Sequence, residues 1–394
     1  MFIIYKIYGI MNMILFFKSM LFVKGVEMVR AKLFLSIIVC LILFSSCNQI
    51  NSGRSIHKEA AGESEKPVVI AFAHKSFNSY FYTIMNEAVK KAVEERGWVF
   101  ESSVADYDPM RQNQQIVNFI KQSPDAIITT AIDSISIEEV IHRGNDAGIP
   151  MCTIDTNAVG GKLAIDVSFD NYKAGQMAAE SIVEQLIKKY GTAKGTVFNA
   201  YGELSSNAWR LRKEGFESVI SRYLNINYLP KATEGRPELV KEELLKAFES
   251  GITIDAVHAS SEHPGRGLVE ALQESNHWVP FWEDGHVILV TIDAEPYFVD
   301  LINKGYADCA VAQDVIAYGN ITVDLLASYV LAGKEIPEGE YYSEDTYWQV
   351  CDISIKDNQA KVTIPPYIIN ADNSNDERQW AYIAEKLWGF QYNK

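Results

Sequence analysis

"KPVVIAFAHKSFNSYFYTIMNEAVKKAVEERGW", residues 66–98, decides how the rest of the chain is read. An apolar, β-branched run, VVIAFA, stops at a polar loop, and the loop feeds Asn78, Tyr80 and Phe81 into a pattern of helical period. Phe81, Ile84, Ala88 and Ala92 recur at steps of three and four, and Arg96-Gly97 ends the pattern. The stretch is therefore a buried strand followed by an amphipathic helix. An amide and two aromatic rings stand where the strand hands over to the helix.

The same grammar repeats outward from there. WVFESSVA, DAIITTA and IPMCTIDT read as further strands, separated by the helices MRQNQQIVNFIKQ and SIEEVIHRGNDAG. After Asn171 the alternation restarts with AGQMAAESIVEQLIKKYG, GTVFNAYG, NAWRLRKEGFESVISRY, INYLPKA, ELVKEELLKAFES, IDAVHASS, GRGLVEALQES, HVILVTID and YADCAVAQ. The chain closes through the helix IAYGNITVDLLASYVLAG and a strand, TYWQVCDIS. Continuous apolar strands between amphipathic helices predict parallel sheets covered on both faces. Two such series predict an α/β protein of two Rossmann-like lobes joined by a three-strand hinge. The expected lobes are residues 67–170 plus 314–349 and residues 171–313 plus 350–394, with crossings near Asp170-Asn171, Gln313-Asp314 and Tyr347–Val350.

Residues 1–47 stand outside this plan. Arg30 and Lys32 precede the uncharged run Leu33–Phe44, and Ser45-Ser46-Cys47 follows. A basic start, a short apolar stretch and small residues describe an export signal. The run is shorter than the ~20 residues a membrane span needs. LFSSC resembles a bacterial lipobox, which implies a lipid on Cys47; the apolar stretch before Met28 admits two readings, a start placed too early with Met28 as the true one, or an additional anchor. Residues 48–66, rich in Ser, Gly, Glu and Lys, read as a flexible tether.

Composition excludes several functions. A net charge of −15 argues against nucleic acid, which needs Lys and Arg on phosphates. GxSxG, Walker A, a GxGxxG after the first strand and HExxH are all missing, so no catalytic residues and no cofactor are expected. There is no CxxC and no Cys/His cluster, so no metal is expected either. Cys309 and Cys351 admit two readings, a pair or two buried apolar residues.

In parallel α/β sheets ligands bind beyond the carboxyl ends of the strands. The residues there are Asn78, Tyr80 and Phe81; Thr130 and Asp133; Asp155, Thr156 and Asn157; Glu203 to Asn207, with Arg210 just beyond; Ser260, Ser261 and Glu262; Asp293 and Glu295; Gln313 and Asp314. Asp133, Ser205 and Asp314 read equally as helix N-caps. Asp155 and Asp293 are harder to read that way, because each ends a strongly apolar strand, IPMCTID and ILVTID, one per lobe.

FNSYF, AIITTAIDS, AGIPMCTIDT, VSFDNYKAGQMAAE, NAWRLRKEGF, LVTIDAEP, CAVAQD and YIINADNSNDERQW together resemble the type I periplasmic binding proteins of the sugar-binding group over residues 67–380. The resemblance implies a sugar-binding lipoprotein that delivers its ligand to an ABC transporter permease, or a sensor of the same fold feeding a receptor kinase or chemoreceptor. It implies an exported, membrane-anchored monomer. It also implies ligand contacts from Asn78, Tyr80, Phe81, Thr130, Asp155, Thr156, Arg210, Ser261, Glu262, Asp293 and Gln313. Asp155 and Asp293 are expected to accept from hydroxyls, free of fixed protein cations. Carboxylate, guanidinium and amide suit a sugar's hydroxyls, and an aromatic face suits its C–H face.

Departures from the pattern bear on the ligand. Thr156 stands where relatives often carry a second Arg, and Ser260-Ser261-Glu262 replaces an Asn-Asp pair. The loop at Glu234-Gly235 lacks the usual aromatic. These changes make an acidic site and admit an amino sugar as one candidate ligand. NHWVPFWEDG, residues 276–285, reads as an inserted surface loop.

Overall fold

A computed structural model describes residues 66–392. The signal region, Cys47 and all but the last residue of the tether lie outside them. Among the described residues no helix is long and apolar enough to cross a membrane.

The first series is β1 (Val69–His74), α1 (Tyr80–Glu94), β2 (Val99–Val104), α2 (Pro109–Gln122), β3 (Ala126–Thr129), α3 (Glu138–Asp146), β4 (Met151–Asp155) and β5 (Ile165–Phe169). The second is α4 (Asn171–Tyr190), β6 (Gly195–Tyr201), α5 (Asn207–Ile220), β7 (Ile226–Ala232), α6 (Pro237–Glu249), β8 (Ala256–Ala259), α7 (Glu262–Glu274), β9 (Ile288–Asp293), α8 (Pro296–Asn303) and β10 (Cys309–Ala312). Then follow α9 (Val315–Leu325), β11 (Gly339–Tyr342), β12 (Val350–Lys356), β13 (Gln359–Ile364), β14 (Tyr367–Ile369) and α10 (Trp380–Tyr382).

Local chemistry explains these boundaries. Ser79 caps α1 by accepting from the Tyr82 amide, and α1 buries Phe81, Ile84, Met85, Ala88, Val89, Ala92 and Val93. Asp108 caps α2 ahead of Pro109, whose missing N–H is harmless in a first turn. Gly191 ends α4 at φ 73°, a conformation glycine takes without steric cost. Pro230 lies inside β7, which is tolerated because β7 is an edge strand.

Two sheets result. One has the order β11-β12-β13-β5-β4-β3-β1-β2, the other β14-β10-β9-β8-β6-β7. Strands β1 to β5 pair in parallel in the first and β6 to β10 in the second; the parallel pairing is as expected, and β5 adds a strand that the sequence reading did not contain. Helices α4 and α5 pack together beside the second sheet, whereas α9 packs on α1 beside the first.

The end of the chain departs from expectation. Residues 350–364 belong to the first sheet, not the second lobe. β12 and β13 form a two-residue hairpin whose turn, Asp357-Asn358, has φ 52° and 57°. β13 then adds in parallel to β5. The third passage between the sheets is therefore at Pro365-Pro366, after β13, rather than at Tyr347–Val350. Two consecutive prolines cannot donate to a ladder, so the strand ends there and the chain moves to β14, antiparallel to β10. β5 of the first sheet leads into α4 at Asp170-Asn171, and β10 of the second leads into α9, which packs beside the first, at Gln313-Asp314. Cys309 and Cys351 lie in different sheets and, like Cys152, are free and buried.

Candidate functional site

The carboxyl ends of both sheets meet across a cleft of about 600 Å³. Its two inner acids sit at matching places. Asp155 ends β4 at φ 62° and Asp293 ends β9 at φ 114°. A non-glycine residue in the positive-φ region is uncommon and costs free energy, and such positions gather at functional sites. Here the turn aims each carboxylate back over the end of its sheet.

Their surroundings differ. Asp155 accepts from Gln313 Nε2 at 2.9 Å and from Thr156 Oγ1 at 2.8 Å. Asp293 is salt-bridged to Arg212 Nη1 at 3.2 Å and accepts from Ser261 Oγ and, at 3.4 Å, the Glu262 amide. The expectation that both acids are free of protein cations therefore fails for Asp293. Its burial raises its pKa, an effect that Arg212 opposes.

Arg212 is the hub. It donates to Asn171 Oδ1 at 2.7 Å, to the Ser260 carbonyl at 2.8 Å, to Asp293 and to Gln313 Oε1, whose amide in turn holds Asp155. One connected chain of hydrogen bonds thus runs from acid to acid through both lobes. The sequence reading assigned this role to Arg210. The structure puts Arg210 on the exposed face of α5, donating to Asn207. The helix buries Ala208, Arg212, Gly215, Phe216, Val219 and Ile220, and position 210 lies off that stripe.

Lys75, at the end of β1, also lines the cleft. It is 4 % exposed, and its ammonium donates to Thr156 Oγ1 at 3.1 Å. Thus a cation stands beside the threonine that occupies the place of a second arginine. Burial lowers the Lys75 pKa to about 8, with Asp155 opposing the shift and Arg212 adding to it.

Two rings bound the space from opposite lobes. Phe81 faces it from α1, and Trp209 faces it from α5. A Cβ at Gly202 or at Gly235 would fall 2.1 Å from the indole, so both glycines are needed for the ring to lie where it does. Trp209 therefore supplies the aromatic that the Glu234-Gly235 loop lacks. Tyr82 and Tyr107 complete the wall, both held protonated by burial. At the mouth, Asn207 Nδ2 donates to Asn157 Oδ1 at 3.0 Å and ties the two rims together.

Of the expected contacts, Phe81, Asp155, Thr156, Ser261, Asp293 and Gln313 line the cleft. The other five do not. Asn78 is exposed, because the helix cap and the inner position fall to Ser79. Tyr80 turns outward and donates to the Phe390 carbonyl at 2.8 Å. Thr130 is buried against Met85 S. Glu262 sits behind the wall, accepting from the Glu295 amide and from Thr291; burial raises its pKa well above normal. Asp314 caps α9 and takes the Trp348 indole N–H at 2.8 Å. Asp133 caps the turn before α3, by the Ile135 and Ser136 amides, and also reaches the cleft mouth. Ser205 is no cap; Ser206 precedes the helix.

Reading alone missed Lys75, Tyr82, Tyr107, Trp209 and Arg212. Arg212 and Trp209 were the findable ones. An arginine on a buried helical stripe needs a partner, and an aromatic within Ala-Trp-Arg opens a helix at a strand end. Among the described residues no group of three or more His, Cys, Asp or Glu is placed to hold a metal ion.

A family model described as periplasmic binding protein domain matches residues 70–335. The chain belongs to that family, and its fold is the family's type I. It is 25% identical over 281 residues to the ribose import binding protein RbsB of Bacillus subtilis, covering 71% of this chain and 87% of that one. It is 24% identical over 314 residues to the multiple sugar-binding periplasmic receptor ChvE of Rhizobium radiobacter, covering 74% and 82%. Among solved structures, an ABC transporter solute binding protein of Bacillus halodurans with bound myo-inositol superposes with a TM-score of 0.66 at 22% identity, over 80% of this chain and 99% of that one. The arabinose-transporter binding protein of a Shewanella species gives 0.68 at 18% identity, over 83% and 100%.

Proposed function

We propose that this protein is an exported solute-binding protein that closes its two lobes on a neutral sugar or polyol and delivers it to an ABC transporter permease. The observation that carries the reading is the cleft itself. Two carboxylates from opposite lobes, a guanidinium, an ammonium and an amide converge between two aromatic rings. That set matches a ring with hydroxyls around its edge and C–H groups on its faces. The relatives named for ribose, for several sugars and for arabinose support the same ligand class.

Charge narrows it. Lys75 and Arg212 offset Asp155 and Asp293, while Arg266 bridges Glu295 at 3.0 Å, so the inner cleft carries no surplus for a cation to neutralise. A buried ammonium beside the ligand disfavours an amino sugar. Asp155, Thr156, Gln313, Ser261 and Phe81, together with Lys75, Tyr82, Trp209 and Arg212, are the ligand-contacting set in this reading. It includes a lipid anchor at Cys47, a monomeric state and binding without turnover. The receptor named among the relatives favours a second use, sensing, in which the closed form is read by a receptor rather than a permease.

A thermal-shift screen of pentoses, hexoses, inositols and hexosamines against residues 48–394 tests the reading. A neutral polyol is expected to raise the melting temperature by mass action, and Asp155→Ala is expected to remove that rise. A panel in which no neutral polyol shifts the transition, or in which only hexosamines do, overturns it.

A further inference from the structure

Residues 380–392 follow the last passage between the sheets and then lie across both lobes. Trp380 is fully buried; its indole donates to the Asp293 carbonyl of the second lobe at 2.9 Å, and its ring meets Phe81 of the first lobe edge-on at 6.0 Å. Further on, Trp388 lies under the Lys91 ammonium of α1, at 5.3 Å. Tyr80, at the head of the same helix, donates to the Phe390 carbonyl at 2.8 Å.

Tyr392 completes the bridge with one ring. It meets first-lobe Tyr80 edge-on at 5.6 Å, stacks on second-lobe Tyr297 at 5.5 Å and covers the Arg266 guanidinium at 4.8 Å. Arg266 in turn holds Glu295 at 3.0 Å; burial raises the Glu295 pKa to about 7, a shift that Arg266 and the nearby Phe81 amide oppose. That amide is one of the unpaired N–H groups at the start of α1, where a negative charge is favoured. A second-lobe acid thus faces the start of a first-lobe helix, and Tyr392 covers the arginine that positions it.

We propose that residues 388–392 are a latch that holds the two lobes closed, independent of the three chain passages. The inference rests on the hinge-closing reading above, since a latch has meaning only if the lobes open. Opening separates Tyr80 from Tyr392 and moves Glu295 away from the start of α1. The ligand-free protein with the latch intact therefore favours the closed arrangement.

The test compares the parent chain, Tyr392→Phe, Tyr392→Ala and a chain ending at Gly389, all without ligand. Small-angle scattering reports the separation of the lobes, and amide hydrogen exchange reports the Phe81 N–H. Tyr392→Ala and the shortened chain are expected to scatter as a more open particle and to exchange the Phe81 amide about tenfold faster or more. Tyr392→Phe, which keeps the ring, is expected to match the parent. Identical scattering and exchange in all four overturn the latch, as does a Phe variant that opens like the Ala variant. Because no sugar is added, this result is separate from the screen: a failed screen removes the sugar reading, while unchanged scattering removes the latch.

Discussion

On the second-lobe rim Arg212 uses four of its hydrogen-bonding N–H groups on Asn171, Ser260, Asp293 and Gln313. On the first-lobe rim Lys75, as deeply buried, makes a single hydrogen bond, to Thr156. Guanidinium offers five donors and ammonium three. Arg212 therefore has one N–H left for a ligand and Lys75 has two. Asp293 likewise is filled by a cation, a hydroxyl and an amide, whereas Asp155 meets only neutral donors. The second lobe presents a finished template, and the first presents unsatisfied groups. A ligand that closes the cleft satisfies the first rim against the second.

This contrast separates stability from affinity. The largest effect is expected from Arg212→Met. It leaves Asp293 buried without its cation and strands the Asn171 and Gln313 oxygens. Breaking a buried pair from one side costs about 3–5 kcal/mol. Chemical denaturation of the ligand-free variant is expected to show a loss of that size. A loss below about 1 kcal/mol, the range of an exposed pair, breaks the claim that the second rim is built in advance.

Lys75→Met is expected to do the reverse. Removing a desolvated ammonium leaves the ligand-free fold as stable or more so, because burial already penalises its charged form. Affinity for the ligand, by contrast, is expected to fall about tenfold to a hundredfold, the worth of hydrogen bonds from a charged donor. The sign with pH follows. Lys75 has a folded-state pKa of about 8, below its ordinary value, so the cost of its charge is present at neutral pH and relieved as pH rises through 8. Ligand bound to the ammonium stabilises the protonated form, so affinity is expected to hold below pH 8 and to decline above it, and to be flat in Lys75→Met. Calorimetric titration between pH 7 and 9.5 checks both. A parent protein whose affinity is unchanged at pH 9.5 contradicts the ammonium's part in binding.

The same contrast explains what the sequence disclosed. Apolar runs and helical spacing disclosed β1 to β4 and β6 to β10 in order, because those elements are dictated by burial period alone; β5 was read only as part of the crossover stretch VSFDNYKAGQMAAE. The strand ends Asp155 and Asp293 were readable since an acid closing an apolar strand has few other uses. The hairpin β12–β13 was missed although Asp357-Asn358 is a two-residue turn signal; its strands are half-exposed and carry no strong apolar run. Lys75 was hidden because its partner, Thr156, is 81 residues away. Tyr80 was read as facing the cleft because the segment that claims it, residues 388–392, is more than 300 positions distant, and no local pattern links them.

The smallest effect belongs to Arg210, and it is the most discriminating. Arg210 and Arg212 lie two residues apart on α5 and share a side-chain type, so composition and local context treat them alike. Two helical residues differ by ~200° around the axis, which sends one side chain to the hub and the other to solvent. Arg210 is exposed and bonds only to Asn207, itself held by nothing but its own link to Asn157 at the mouth. Arg210→Ala is expected to change ligand-free stability by less than about 0.5 kcal/mol, and to leave sugar affinity within about twofold of the parent, a difference of roughly 0.4 kcal/mol. Equilibrium denaturation and calorimetric titration of Arg210→Ala beside Arg212→Met measure the gap directly. Should Arg210→Ala instead abolish binding, the arginine that reaches the ligand is the exposed one, swinging inward on closure, and the template ascribed to the second rim loses its hub.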